Sequence, residues 1–180
     1  MIENELIILN FLGRNIEQEF TMNELSKRTS IPYATLFRTL KKMNLLVNAR
    51  TVGKATVVIL NTEYHLIKSY LTIASDKSKE EYLSKDPSLK KISDDIDTKD
   101  IVLFYDETFQ MNKETNLIII NKEGKKSVNF SKNDRIKSIF LSEKEFLQKL
   151  RDKEENLVKQ VMKKHVLLKN PEKFWGLVFQ

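Results

Sequence analysis

Apolar residues recur at helical spacing near the start of the chain, with polar residues between them. Ile2, Leu6, Leu9 and Leu12 fall on one side of a helix with about 3.6 residues per turn. We therefore predict a first amphipathic helix over residues 2–17. Its apolar side is expected to pack into a core and its polar side to face solvent.

Two more helices are predicted immediately after the first. Thr21 precedes Glu24 by three residues, a capping-box pattern that starts a second helix, and this helix ends near Arg28. Pro32 suits the first turn of a third helix, where its missing N–H costs nothing, so we predict that helix over residues 32–43. Three apolar residues form its buried side, namely Leu36, Leu40 and Met43.

A β-hairpin and a polar segment complete the first half of the chain. Residues 45–50 and 55–60 are β-prone and flank a short basic turn that contains Gly53, which predicts the hairpin. A new helical pattern begins near Tyr64. Residues 76–99 are rich in Lys, Asp and Ser and are predicted to be a charged, partly helical linker.

The second half begins with apolar runs that predict strands. These strands cover residues 101–105, 117–121 and 136–141. The second is a continuous apolar run, which is typical of a sheet that is covered on both faces.

Helical patterning follows the strands and continues towards the C-terminus. Ser142 and Glu145 repeat the capping-box pattern, and the helix that they start is predicted to continue to about Lys164. A short strand over 166–168 and a final helix over 172–178 complete the chain. The fold class is therefore α+β, with units over residues 1–75 and 100–180 on either side of the linker.

Composition restricts the chemistry that the chain can perform. Cysteine is absent, which excludes disulfides, thiolate zinc sites and a cysteine nucleophile. The two histidines, His65 and His165, lie in different predicted units without ligand spacing, so we expect exposed or half-buried structural histidines and no metal site. The apolar runs are far shorter than the roughly 20 residues that cross a bilayer, and we expect a cytoplasmic protein with no cofactor.

Positive charge is concentrated in one segment of the chain. The whole chain has a net charge of +6, and residues 21–54 alone contain seven basic residues and one acidic residue. This segment contains the second and third predicted helices and the hairpin. A polyanion would be attracted to it and would release counterions on binding.

The predicted order of three helices and then a hairpin is that of a winged helix-turn-helix, whose third helix enters the major groove of DNA. Arg38 is the best candidate for base recognition, because its planar fork can donate twice to guanine. Tyr33 and Thr35 lie at the start of the helix, where they can contact bases or phosphate. Lys41 and Lys42 are expected to contact phosphate.

Four other basic residues are candidate contacts beside that helix. Lys27 and Arg28 are placed to clamp the DNA backbone, and Arg50 and Lys54 flank Gly53 at the predicted hairpin tip. The two lysines of the third helix have a simpler alternative to DNA contact, because both can be solvated.

The aromatic and arginine candidates of the third helix also have simpler alternatives. Tyr33 can pack against the second helix or the hairpin, and Arg38 can pair with Glu24. For Phe37 we expect packing against the second helix or the hairpin.

Segment 21–43, TMNELSKRTSIPYATLFRTLKKM, resembles the helix-turn-helix of archaeal and bacterial winged-helix regulators. Segment 58–71, VILNTEYHLIKSYL, is similar to the stretch after the wing in archaeal proteins that carry a fused nucleotidyltransferase-like domain. The second half resembles that partner domain in DIVLF (100–104), TNLIII (115–120) and three further segments. Those three are FLSEKEF (140–146), KHVLL (164–168) and EKFWGL (172–177). The resemblance implies a C-terminal α/β nucleotidyltransferase-like domain with a small mixed sheet.

Departures from the family's pattern decide the expected chemistry. An active member needs a Gly-Ser turn for nucleotide phosphates and two aspartates for Mg²⁺. In this chain Tyr105 and Asp106 stand at the Gly-Ser positions, and Glu114 and Asn116 stand at the aspartate pair. We therefore expect an inactive domain without catalytic residues, although residual activity through Glu114, Asp106 and Glu107 is the alternative.

Three hypotheses follow for function. The first is a nucleoid-associated, homodimeric DNA-binding protein that acts as a transcriptional regulator or chromatin-associated factor, with an unknown effector or protein partner as an option. The second is a nucleotidyltransferase with an atypical metal site. The third is a winged-helix protein-interaction factor.

Overall fold

A computed structural model describes residues 3–16, 18–105, 115–127 and 136–180 of the chain. The chain divides into two compact units, Met1–Ala74 and Ser75–Gln180. Helices and strands occur in both units, and the predicted α+β class is confirmed. Among the described residues, no helix is long and apolar enough to cross a bilayer.

The first unit contains the predicted helices and hairpin in the predicted order, together with a short strand that the sequence did not predict. Its elements are α1 (Glu3–Arg14), β1 (Phe20–Thr21), α2 (Met22–Thr29), α3 (Tyr33–Lys42), β2 (Val47–Val52), β3 (Ala55–Leu60) and the first residues of α4 (Ile67–Lys85). The three strands form an antiparallel sheet in the order β1-β3-β2.

Local signals fix the ends of α2 and the start of α3. The side chain of Thr21 accepts a hydrogen bond from Glu24 N at 3.2 Å, and the Glu24 carboxylate accepts from Thr21 N at 2.8 Å, so the predicted capping box is confirmed. Ser30 ends α2 in the left-handed conformation, at φ 57°. Pro32 is the residue immediately before α3, one position earlier than predicted, and its carbonyl accepts from Leu36 N at 2.9 Å.

The hairpin turn is shorter than the four residues, 51–54, that the sequence left between the two predicted strands. Val52 pairs with Ala55, so that only Gly53 and Lys54 form the loop. Gly53 has φ +60°, which suits the first position of a type II′ turn, where a glycine is favoured. Lys54 is therefore at the tip, whereas Arg50 lies within β2.

The second unit contains a four-stranded sheet with helices around it. After the end of α4, its elements are α5 (Pro87–Asp95), β4 (Ile101–Tyr105), β5 (Thr115–Asn121), β6 (Ile136–Ser142), α6 (Glu143–Arg151), α7 (Leu157–Lys164), β7 (His165–Lys169) and α8 (Pro171–Val178). The strand order is β6-β5-β4-β7. Strands β5 and β6 are parallel and the other pairs are antiparallel, so the prediction of a small mixed sheet is confirmed.

The predicted linker is largely a packed part of the second unit. Leu89, Ile92 and Ile96 are buried in one cluster with apolar residues from β4, β5 and β7, such as Val102 and Leu117. The segment 76–99 is partly helical, as predicted, but α5 packs on the sheet and does not act as a linker between the units. The charged residues of α5 made the segment resemble a linker in sequence, but its short apolar side covers one face of the sheet.

The opposite face of the sheet is covered as well. Helices α6 and α8 contact β5 and β4, and Ile118 and Ile120 of β5 are buried. The continuous apolar run in β5 is explained by this double coverage, as predicted. Trp175 of α8 is 1% exposed and donates from Nε1 to Ser75 Oγ at 3.0 Å. Trp175 is therefore part of the core of the second unit.

Helical patterning after Ser142 was predicted as one helix, but the structure has two. Asn156 explains the break: its Oδ1 accepts from Lys159 N at 3.2 Å at the start of α7, and its Nδ2 donates to Lys149 O at 2.7 Å near the end of α6. His165 follows α7 and is buried, not exposed or half-buried as predicted, and its Nδ1 donates to Met162 O at 2.9 Å. It remains a structural histidine.

Candidate nucleic-acid interface

Helix α3 separates an apolar side from a basic side. Leu36 and Leu40 are buried in the first unit, and Met43, the residue after the helix, is buried with them. This matches the predicted inward side. The exposed side carries two aromatic and three basic residues: Tyr33, Phe37, Arg38, Lys41 and Lys42.

Phe37 is the functional candidate that the sequence interpretation missed. The sequence favoured packing of Phe37 against the second helix or the hairpin, but 46% of the residue is exposed. Lys41 Nζ lies 4.5 Å from the centroid of the Phe37 ring, a cation–π contact along one side of α3. The signal was present in the spacing, since Tyr33, Phe37 and Lys41 recur every four residues away from the buried leucines.

Tyr33 and Thr35 differ in their exposure. Tyr33 is the first residue of α3 and is 49% exposed, so about half of the residue is accessible. Thr35 is half-buried, although the sequence placed it outward. Its carbonyl accepts from Thr39 Oγ1 at 2.9 Å. Thr35 is therefore the less accessible of the two.

Arg38 is exposed and is not paired with Glu24. Its Nε donates to Ala34 O at 3.2 Å, one helical turn earlier. The Glu24 carboxylate is held by Thr21 instead, which accounts for the absence of the alternative ion pair. The hydrogen bond to Ala34 uses Nε alone, and the residue is exposed to solvent.

The last turn of α2 contributes two more cations. Lys27 and Arg28 are both exposed. The hydrogen bonds from Thr21 lower the pKa of Glu24 most strongly, and the positive charges of Arg28 and Lys27 lower it further. The single acid of segment 21–54 is thus ionised and held locally beside these two bases.

Arg50 has a partner that the sequence did not reveal. Its Nη2 donates to both carboxylate oxygens of Glu19, at 2.6 and 2.8 Å. The Arg50 and Glu19 side chains are 65% and 39% exposed, so the pair is solvent-accessible. Lys54 is exposed at the hairpin tip. The two predicted hairpin contacts therefore have different electrostatic surroundings.

In the second unit, two of the four positions that replace the expected catalytic motif lie on adjacent strands. Tyr105 of β4 and Asn116 of β5 are partners in the sheet register, and Tyr105 is buried at 6% exposure. Asp106, Glu107 and Glu114 lie outside the described residues. Within the described part of the chain, no group of three His, Asp or Glu side chains is arranged to hold a metal ion.

A pocket of about 540 Å³ opens elsewhere in the second unit. Its wall includes the loop after β5, where Asn121 Nδ2 donates to Lys125 O at 2.9 Å and Ser127 Oγ donates to the Asp100 carboxylate. Lysines and acids both line it, and Lys125 is paired with Glu123 at 2.9 Å. The mixed charge gives it no clear ligand class.

Comparison with known proteins adds no assignment. No protein-family model matches the chain, and neither a curated protein nor a solved structure does so. Inferences about function therefore depend on the geometry and electrostatics of the chain itself.

Proposed function

We propose that the first unit binds double-stranded DNA, with α3 in the major groove and the β2–β3 hairpin beside it. The protein would act as a transcriptional regulator or a chromatin-associated factor. The observation that carries this proposal is the two-sided character of α3: its leucines are buried, and its exposed side presents Arg38, Lys41 and Lys42 beside two aromatic rings.

Dimensions support insertion of this helix into DNA. The 10 residues of α3 extend about 15 Å at roughly 1.5 Å per residue. An α-helix is about 10–12 Å wide with its side chains, which fits a major groove about 12 Å wide. The helix is long enough to lie along about four base pairs at about 3.4 Å each.

The basic residues of α2 and α3 divide between base recognition and phosphate contact in this proposal. Arg38 donates to guanine O6 and N7, because it is exposed midway along α3 and a guanidinium can form two parallel hydrogen bonds. Lys41 and Lys42 neutralise phosphates at the end of the helix, and Lys27 and Arg28 do so from the end of α2. Tyr33 contacts the DNA at the start of α3, and the half-buried Thr35 contributes less.

The hairpin contributes mainly through Lys54. This residue lies in the two-residue turn and carries its charge at the tip, where it can contact a phosphate or the minor groove. Arg50 contacts DNA only in competition with Glu19, whose carboxylate is already within hydrogen-bonding distance.

A salt titration of duplex binding tests the proposal. We expect the full chain to bind duplex DNA with a logarithmic affinity that falls linearly with the logarithm of salt concentration. Lys42→Ala should weaken binding to all duplexes and reduce the magnitude of the slope by about 1. Lys144→Ala, which removes an exposed lysine from α6 in the other unit, is the matched control and should leave the slope unchanged.

The same titration identifies the failure of the proposal. Absence of binding to any duplex at low salt would exclude the DNA-binding function and leave the hypothesis of a protein-interaction factor. A slope that is equally affected by Lys42→Ala and Lys144→Ala would show that binding is spread over the surface and does not involve α3.

We further propose that the second unit is not catalytic and that the protein works as a homodimer. The buried Tyr105, opposite Asn116, supports the first point, because a tyrosine ring occupies space that a phosphate would need. Diphosphate release from nucleotides with Mg²⁺ or Mn²⁺, lost in Glu114→Ala, would contradict it. Sedimentation equilibrium of the full chain tests the homodimer, which many helix-turn-helix proteins form to contact two half-sites.

A further inference from the structure

Two aromatic residues of α3 are exposed on the side of the helix that faces away from its buried leucines. Tyr33 and Phe37 are each about half exposed, at 49% and 46%, although large apolar side chains gain stability when they are buried. Single exposed apolar residues are ordinary, but neighbouring ones on a helix surface indicate an interaction site. These two are four residues apart and therefore adjacent on the helix.

Lys41 covers part of the Phe37 ring. Its Nζ is 4.5 Å from the ring centroid, where a cation is attracted by the electron-rich face. This contact with Lys41 stabilises the exposed position of the Phe37 ring on the helix surface. The rest of the ring remains accessible to a small apolar group, and the adjacent ammonium favours a ligand whose apolar group lies close to negative charge.

We propose that Phe37 recognises the C5-methyl group of thymine in the major groove, so that bound sites carry a thymine within about one base pair of the guanine contacted by Arg38. This inference rests on the proposed DNA-binding function and specifies its sequence class. Thymine is the standard DNA base with a methyl group in the major groove, and phenylalanine is among the side chains that contact it. The surrounding phosphates supply the negative charge that Lys41 requires.

Spacing along the helix is consistent with this assignment. Phe37 and Arg38 are consecutive and about 1.5 Å apart along the helix axis, which is less than one base-pair step of about 3.4 Å. Tyr33 is about 6 Å further towards the helix start, close to two such steps. Phe37 and Arg38 can therefore contact the same or neighbouring base pairs, whereas Tyr33 contacts a different one.

Replacement of thymine by uracil is the direct test, since uracil pairs identically and lacks only the methyl group. A binding site is first selected from random duplexes with the full chain. Each thymine in that site is then replaced singly by uracil. We expect one replacement to weaken binding about fourfold, which is the fold-change that corresponds to one buried methyl group.

Variants assign the effect to the ring. Phe37→Ala should bind the thymine and uracil duplexes equally, and Phe37→Leu should keep part of the difference. Ile73→Ala, which truncates a residue that is 51% exposed on α4, is the matched control and should keep the full difference. Thermal unfolding of each variant verifies that the first unit remains folded.

The possible failures are distinguishable. Binding that does not change with any uracil replacement, or a difference that persists in Phe37→Ala, overturns the inference and leaves duplex binding in place. Tighter binding to single strands than to duplexes also overturns it, because it would indicate stacking of the ring on unpaired bases. Absence of all duplex binding overturns both the inference and the proposed function.

Discussion

The carboxylate of Glu19 accepts two hydrogen bonds from Arg50 Nη2, at 2.6 and 2.8 Å, and thereby pairs the segment before β1 with β2, the first strand of the hairpin. The two residues are 31 positions apart in the chain. The pair is largely solvent-exposed, and such pairs contribute only about 0–1 kcal/mol to folding. Its main consequence is that one cation of the proposed DNA-binding surface is neutralised in the unbound protein.

Removal of the Glu19 charge is therefore expected to strengthen DNA binding. Glu19→Gln releases Arg50 for a phosphate, and we expect tighter duplex binding with a salt slope that is steeper by about 0.9. Stability should change little. The measurement is fluorescence anisotropy of a labelled duplex at several salt concentrations.

Glu3→Gln is the matched control for Glu19→Gln. It changes the net charge of the first unit by the same amount at an exposed position in the first turn of α1. Equal gains in affinity from both variants would show that only net charge matters, and would contradict a specific role for the Glu19–Arg50 pair.

Substitution of Arg38 should separate base recognition from general attraction. Arg38→Lys keeps the positive charge but loses the planar fork, so we expect most of the nonspecific affinity to remain and the preference for guanine to disappear. With 7-deazaguanine in the selected site, the wild type should bind roughly tenfold more weakly, and Arg38→Lys should be insensitive. A lysine variant with unchanged preference would exclude Arg38 as the base-contacting residue.

The two sides of α3 could be predicted from the sequence because helical periodicity is a local property. Leu36 and Leu40 are buried and Arg38 is exposed, as their spacing indicates. For Phe37 the expectation of packing followed its residue type, because an aromatic side chain usually indicates a core position, although its spacing from Tyr33 and Lys41 favoured the exposed side.

Features that depend on distant residues were beyond prediction. Glu19 and Arg50 meet only when β1 pairs with β3 and β3 pairs with β2. The apolar side of α5 was obscured by its charged residues, and its burial depends on a sheet that forms later in the chain. Asn156 ends one helix and starts another through two hydrogen bonds that helical periodicity alone does not indicate.

The two capping boxes should make stability depend on pH. Hydrogen bonds from Thr21 lower the pKa of Glu24 below its ordinary value near 4.5, and those from Ser142 do the same for Glu145. Because the folded pKa is the lower one, this stabilisation is complete above the unfolded pKa and is lost as the pH falls through the folded pKa. We expect urea unfolding to require less denaturant below about pH 4.5.

Two variants test the capping box of α2. Thr21→Ala should lower stability by about 1 kcal/mol at neutral pH and reduce the loss on acidification. Glu24→Gln keeps an acceptor oxygen but does not titrate, so it should remove the contribution of Glu24 to the pH dependence. If both variants show the acid response of the wild type, the Glu24 carboxylate does not determine it.

Gly53 and Gly124 provide a matched pair of left-handed positions, one in each unit, with φ +60° and +68°. A Cβ at Gly53 would meet no atom within 4 Å, whereas one at Gly124 would lie 2.8 Å from Ser142 N, which is backbone, and 3.1 Å from Glu145 Oε2. Gly53→Ala should therefore lower the free energy of unfolding only by the strain of a positive φ, which is about 1–2 kcal/mol. Gly124→Ala should lower the free energy of unfolding clearly more. The loop after β5 must also move away from the start of α6, and this movement disturbs the capping box of α6. Urea unfolding of the two variants measures the difference, and equal losses would show that the loop relaxes without resistance.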